Sequence, residues 1–535
     1  MTASMSAEPA HQPAAPASAT SRRGMVTSPH PLASAAGLEV LADGGNAIEA
    51  AIAMAAVLCV VCPHFTGLGG DGFWLIAQPG APVRGISGIG QAAAALPPLA
   101  GPVPLRGGAS ALTTAAAVDS WARAFDISAR DWQGRQRWAS LLSRAIEHAQ
   151  EGFAVSASQR FWHEMRAAEA QHWHGFDAAF PAGLSQQQQP GLARTLSRLA
   201  SQGPREFYEG EVAHRLAAGL QAAGSPLTLD DMRSTRAREV TPLAVPYRGG
   251  TLLSLPPPTQ GFATLEAMGI LGEQDFSGIA EGSAEHFHRM VEAIKLAFVD
   301  RDRFLADPDF AEVPVQRLLD AAYIRQQAAR AQADARAMPW PQRFRQGDTV
   351  FFAAADASGR GAGVLQSIYY DWGSGVVAGD TGVLWHNRGA AFHHDASHPN
   401  GLRGGKRPFH TLNPVAFMRD GRPELLLGTQ GADGQPQTLV ALLTRLIDFG
   451  LDPAQALARP RFLLGRTFSD SRDSLKLEED VGAQVMAALA ARGHEIAPIA
   501  AHSPLAGLPG VIRFEADGSL AGAHDPRGDG VALGL

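Results

Sequence analysis

The sequence predicts a mixed α+β fold, and three observations carry that expectation. Val350–Ala355 reads VFFAAA, an apolar run without polar alternation, as expected of a strand covered on both faces. A second run, Gly363–Tyr370 (GVLQSIYY), returns after the turn cluster Asp356–Arg360, so the pair reads as a hairpin. Elsewhere long helical patterns dominate, among them Ala47–Val61 and the amphipathic Phe287–Arg303.

In chain order, residues 1–23 are rich in Ala, Pro and Ser, lack an apolar signal core, and are expected to form a disordered tail. Pro29–Leu41 and Ala47–Val61 read as helices joined at Gly44-Gly45-Asn46, with Asn46 as N-cap. Cys59 and Cys62, the only cysteines, end that second helix and read as packing residues, which suits a reducing compartment. GLGGDGF satisfies G-x-G-x-x-G at Gly67, Gly69 and Gly72. A dinucleotide site needs a strand before and a helix after, the reverse of the order here, so the stretch reads as a turn of close backbone approach.

Helical patterns follow at Ala115–Asp126, Trp138–Glu151 and Glu211–Ala223. His163-Glu164 opens like a zinc-protease motif but has Ala167 at the second ligand position, and His172, His174, His393 and His394 read as surface or packing residues. The strands TPLAVPYRG and TLLSLPPP lead into Pro256–Gly261, a rigid elbow opening a helix near Phe262. Another helix is expected over Pro314–Ala337, and Met338–Asp348 is Pro-broken and polar. Pro436–Asp448 reads as a later helix.

With 535 residues, 45% hydrophobic and 18% charged, the chain can build a large core. A net charge of −7 argues against nucleic-acid and membrane-surface roles. No apolar run is long enough to span a bilayer, which, with the missing signal core, favours the cytoplasm.

The chemistry concentrates at Gly347-Asp348-Thr349. A flexible lead-in, a small-residue junction and a Thr opening a buried strand are what a self-cleaving precursor needs. Cleavage after Asp348 would free the Thr349 α-amine, whose pKa near ~8 suits it to act as base for its own hydroxyl. A hairpin centred on Ser358 sets Ser367 opposite Thr349, and a bulge would slip that pairing by one.

GDTVFFAAADASG, QSIYYDWGSGVV, HPNGLRGGKRPFHTLNP and GTQGADGQPQ occur in that order and resemble the γ-glutamyltransferase family of N-terminal-nucleophile hydrolases. The likeness is greatest to its oxamate amidohydrolase and acylase-like branch. The resemblance implies a four-layer αββα sandwich, cut autocatalytically into chains 24–348 and 349–535, with Thr349 as nucleophile. It implies an oxyanion hole from the backbone of Gly431 and Ala432, beside Gln430, with Ser367 orienting the Thr349 amine. Arg388 and Ala391 stand where transferases hold the substrate amine, and Ile89-Gly90-Gln91 where they carry a carboxylate-binding arginine. His410 and Thr411 replace the paired serines after the GKRP loop.

These departures point to a small anionic amide such as oxamate. Tyr369, Arg388, Arg407 and His410 are the candidates for its carboxylate, with Thr411 and Gln430 beside them. A γ-glutamyltransferase or glutathione hydrolase, a cephalosporin-type acylase, and an unprocessed binding protein are the competing readings. No metal or organic cofactor is required, and a dimer of the processed heterodimers is left open.

Overall fold

The computed structural model describes residues 17–98, 101–333, 337–338, 340, 347–467, 470 and 472–535. Two seven-stranded antiparallel sheets stack face to face. The first runs Ala19–Ser21, Leu520–His524, Pro509–Phe514, Arg422–Thr429, Val415–Arg419, Gly250–Ser254, Leu243–Tyr247. The second runs Val531–Gly534, Gly24–Ser28, Asp348–Asp356, Gly361–Tyr369, Asp71–Ala77, Arg84–Gly88, Arg238–Val240.

The expected two-faced burial of the Asp348 strand follows from this stacking. Val350, Phe352 and Ala354 pack with helix Ala47–Val61, whereas Phe351, Ala353 and Ala355 meet Leu426, Ala416 and Ile512 of the other sheet. Thr349 shares the parity of Phe351, so its side chain belongs to the inter-sheet face. Helices Gly261–Gly272, Ala284–Phe304 and Gln435–Leu443 cover the far side of the first sheet. The result is the expected αββα sandwich.

Asn46 caps its helix in a reciprocal box with Glu49, and Cys59 and Cys62 are buried and unpaired. No described helix is long and apolar enough to cross a membrane. The expected helix over 314–337 is two pieces, Val315–Leu318 and Ala321–Ala333, and 334–336 lie outside the described residues. The expected irregular lead-in over 338–348 likewise falls mostly outside them, at 339 and 341–346. One expectation needs correction. Ala19–Ser21, assigned to the disordered tail, form an edge strand against Leu520–Gly522, because Ala19 adds its apolar side chain to the inter-sheet core.

Candidate active site at the Thr349 hairpin

The hairpin pairs as expected from Ala355↔Gly361 to Val350↔Gln366, then shifts so that Asp348 faces Tyr369. Ser367 and Ile368 thus share the space opposite Thr349, a β-bulge that leaves Tyr369 at φ +80°, unusual for a bulky residue. Ser367 Oγ is held by the Tyr369 N–H at 2.8 Å and donates to the Asp348 carbonyl at 2.5 Å. The hydroxyl therefore sits on the acyl side of the Asp348–Thr349 bond. Across Ser367 lies the Gly-rich turn, where a Cβ on Gly70 would come within 2.4 Å of the Ser367 carbonyl oxygen. Close backbone approach is what those glycines provide.

Thr349 is 1% exposed, and its Oγ1 accepts a long contact of 3.4 Å from Gln435 Nε2. Gln435 is fixed in turn by the Asn413 N–H at 3.2 Å. The Asp348 side chain accepts from Gln430 Nε2 at 3.0 Å. Burial and the nearby Asp371 push its carboxyl well above the usual range.

After strand Arg422–Thr429 the chain turns through Gly431 at φ +121° and Ala432 at φ +44°. Among the described residues, neither amide donates to a carbonyl outside its own turn. The turn is held from below, because Gln260 Nε2 donates to the carbonyls of Thr411 at 2.6 Å and Ala432 at 2.9 Å. Buried Arg301 fixes Gln260 Oε1 at 3.0 Å and reaches Asp433 at 3.3 Å. The proline elbow is strapped beside this site by the Gln260 N–H to the His410 carbonyl, 2.9 Å, and the His410 N–H to Pro258, 2.7 Å.

Arg388 is 1% exposed and forms no ion pair with any described acid. Its guanidinium stacks 3.6 Å over the Tyr369 ring, Nη2 contacts Thr411 Oγ1 at 3.4 Å, and Nη1 has no partner. Burial lowers it to about 10, so it remains a cation at neutral pH. Beside it, Asp71 accepts from the N–H groups of Gly90 and Ala116 and touches His410 at 3.3 Å and His386 at 3.5 Å. Burial alone would raise the Asp71 carboxyl, but the two imidazoles hold it below the usual range. Burial and Arg388 lower His410 to about 3, leaving it neutral.

The structure brings Thr349, Ser367, Tyr369, Arg388, His410, Thr411, Gln430, Gly431 and Ala432 to one end of the sandwich. Arg407 is the exception. Its guanidinium and backbone N–H are bound to Asp307, at 2.5 and 2.8 Å, so it is not available as a carboxylate clamp. Lys406 is likewise tied to the carbonyls of Pro399 and Gly401. Sequence reasoning missed Asp71, Gln260, Arg301, His386 and Gln435, although Gln260 lay within the elbow and Asp71 within the Gly-rich turn. His288, Glu292 and His494 are grouped closely enough to share an ion, but Glu292 already pairs with Lys295 at 2.8 Å.

The family model for gamma-glutamyltranspeptidase matches residues 33–535, nearly the whole chain. The chain belongs to the γ-glutamyltranspeptidase family. It is 44% identical to the oxamate amidohydrolase proenzyme of Klebsiella pneumoniae, over 96% of this chain and 99% of that protein. It is 40% identical to the glutathione hydrolase-like YwrD proenzyme of Bacillus subtilis, over 96% and 98%. Among solved structures, the cephalosporin acylase of Bacillus halodurans superposes with a TM-score of 0.89 at 30% identity, covering 100% of this chain and 99% of that one. Family membership makes the protein a hydrolase of C–N bonds.

Proposed function

We propose that the protein is a precursor that cuts itself between Asp348 and Thr349 and then hydrolyses a small acid amide, oxamate being the substrate of choice. Support for the cut comes from the Ser367 hydroxyl on the Asp348 carbonyl, which polarises the bond that the Thr349 hydroxyl must attack. Two relatives named as proenzymes agree with it.

In the mature form the Thr349 amine takes the proton of its own hydroxyl, and Oγ1 attacks the amide carbonyl. The oxyanion meets the N–H groups of Gly431 and Ala432, each contributing about 3–4 kcal/mol to the transition state. Ammonia leaves, and water then hydrolyses the ester. The pre-shaped turn, braced by Gln260 and Arg301, needs no rearrangement to receive the developing charge.

The single observation that carries the substrate is Arg388, a buried guanidinium with an unbound nitrogen and no ion pair among the described residues, its charge favoured only at a distance by Asp71 and Asp433. An unpaired buried charge is costly, and a substrate carboxylate would offset that cost. The ammonium of a γ-glutamyl group would meet repulsion from the same side chain, and Ala391 offers it no counter-charge. The test is to purify the protein, confirm two chains with the smaller starting at Thr349, and assay ammonia release from oxamate beside cleavage of γ-glutamyl-p-nitroanilide. Brisk cleavage of the chromogen with oxamate untouched would refute the substrate assignment.

A further inference from the structure

The Thr349 hydroxyl has one side-chain partner among the described residues, Gln435 Nε2 at 3.4 Å, and both residues are buried. Gln435 opens helix Gln435–Leu443, just past the turn of Gly431 and Ala432. Its amide can face only one way. The Asn413 N–H, which can only donate, meets Oε1 at 3.2 Å, so the NH2 end is turned to Thr349. Asn413 is pinned in turn, its side chain donating at 2.5 Å to Thr264 Oγ1 on helix Gly261–Gly272. Gln437, on the same helical turn, makes the contrast. It donates to the Leu464 carbonyl at 3.0 Å and accepts the Leu464 N–H at 2.7 Å, so both its ends join backbone. Gln435 turns its donor to the nucleophile's oxygen instead.

A neutral amide suits that place. A hydroxyl has one hydrogen and two lone pairs. With one lone pair on the Gln435 N–H, the hydrogen is left for the base and the other lone pair for the carbonyl carbon. A carboxylate in the same place would draw the hydroxyl hydrogen to itself, and an ammonium would lower the basicity of the freed Thr349 amine. The 3.4 Å separation belongs to the uncharged hydroxyl of the precursor. Such contacts tighten as negative charge builds on the oxygen.

We propose that Gln435 is a catalytic residue whose amide donates to Thr349 Oγ1 whenever that oxygen carries charge, in the cut after Asp348 and in each turnover. The inference rests on the reading of Thr349 as nucleophile. In the cut, the Oγ1–carbon bond to Asp348 forms as the Asp348–Thr349 bond breaks, the hydroxyl proton ends on the Thr349 nitrogen, and water then splits the ester. In turnover, the Oγ1–carbon bond to the substrate forms as the carbon–nitrogen bond breaks, and the proton passes through the Thr349 amine to the departing nitrogen. Water then adds to the ester, and Oγ1 leaves with a proton from that water. Gln435 keeps its own hydrogens throughout. It lowers both barriers because Oγ1 is the attacking atom in one step and the leaving atom in the next.

The test uses Gln435→Met, which keeps the length and loses the donor, and Gln435→Glu, whose buried carboxyl titrates above its usual range and donates only when protonated. Per mole of cut enzyme, Gln435→Met should lower kcat for oxamate by roughly 10- to 100-fold, with KM within about twofold. The rate of Gln435→Glu relative to wild type should climb about tenfold from pH 8 to pH 5.5, while that of Gln435→Met stays level. If oxamate is not turned over, the same comparisons are read in the rate of the cut in pulse-labelled precursor. Wild-type rates in Gln435→Met would overturn the role of Gln435 while sparing Thr349. A level or falling pH ratio in Gln435→Glu would do the same, since a merely structural glutamine predicts it. A Thr349→Ala protein that is still cut and active would overturn both.

Discussion

Arg388 shows how one side chain can set substrate class. A guanidinium buried on Tyr369 with an unbound nitrogen is a liability in the free protein and an asset only when an anion arrives. Arg388→Met should therefore raise KM for oxamate by about 100-fold, near 3 kcal/mol, with a smaller change in kcat. The melting temperature should change little, since the variant relieves the burial of a charge that has no direct ion pair among the described residues and gives up its stacking on Tyr369. A fall in kcat at unchanged KM would assign the residue elsewhere. Ser367→Ala removes the hydroxyl from the Asp348 carbonyl, at a cost of about 1–2 kcal/mol. A pulse-labelled precursor of that variant should mature roughly 5–30 times more slowly; an unchanged rate would show that the hydrogen bond is idle in processing.

At the scale of elements, the hairpin was legible because its turn and its period-two burial are local. The bulge was legible only as an alternative, since it depends on the Tyr369 N–H reaching Ser367 and on Asp71 pairing from another strand. Arg407 was misread for a related reason. The sequence shows a basic loop, while its partner Asp307 lies a hundred residues upstream. The braces Gln260 and Arg301 sit in segments whose pattern already had a structural explanation, so nothing local marked them.

The junction itself carries a pH dependence. In the folded precursor, burial and the nearby Asp371 raise the Asp348 carboxyl well above the usual range. For a raised group, stability is full below the unfolded pKa and is lost as pH climbs toward the folded one. Above about pH 4 each unit should cost the precursor about 1.4 kcal/mol until the folded value is reached. In an uncleavable Thr349→Ala background, Asp348→Asn should raise the melting temperature little at pH 4 and progressively more toward pH 7. A constant offset across that range would mean that the carboxyl is ionised in the fold.

For the whole molecule, the position of the cut relative to the sheets matters more than its position in the sequence. In the first sheet, strands Ala19–Ser21, Leu243–Tyr247 and Gly250–Ser254 precede Thr349, while the four between them follow it. In the second, Asp348–Asp356 lies between Gly24–Ser28 and Gly361–Tyr369, and the latter pairs onward with Asp71–Ala77. Cleavage at the proposed site would take only Asp348 off the head of its strand and leave the pairs from Val350 onward in place. Each fragment alone would then expose unpaired strand edges and its own half of the inter-sheet core, Met25, Phe73 and Leu75 on one side and Phe351 and Leu426 on the other. The two fragments should therefore co-elute in gel filtration and unfold in one urea transition, judged by both fluorescence and circular dichroism. Fragments separated in urea and refolded singly should aggregate, and should recover activity only when refolded together. Two resolved transitions, or a soluble folded fragment from either side, would show that the sandwich is built from separable halves.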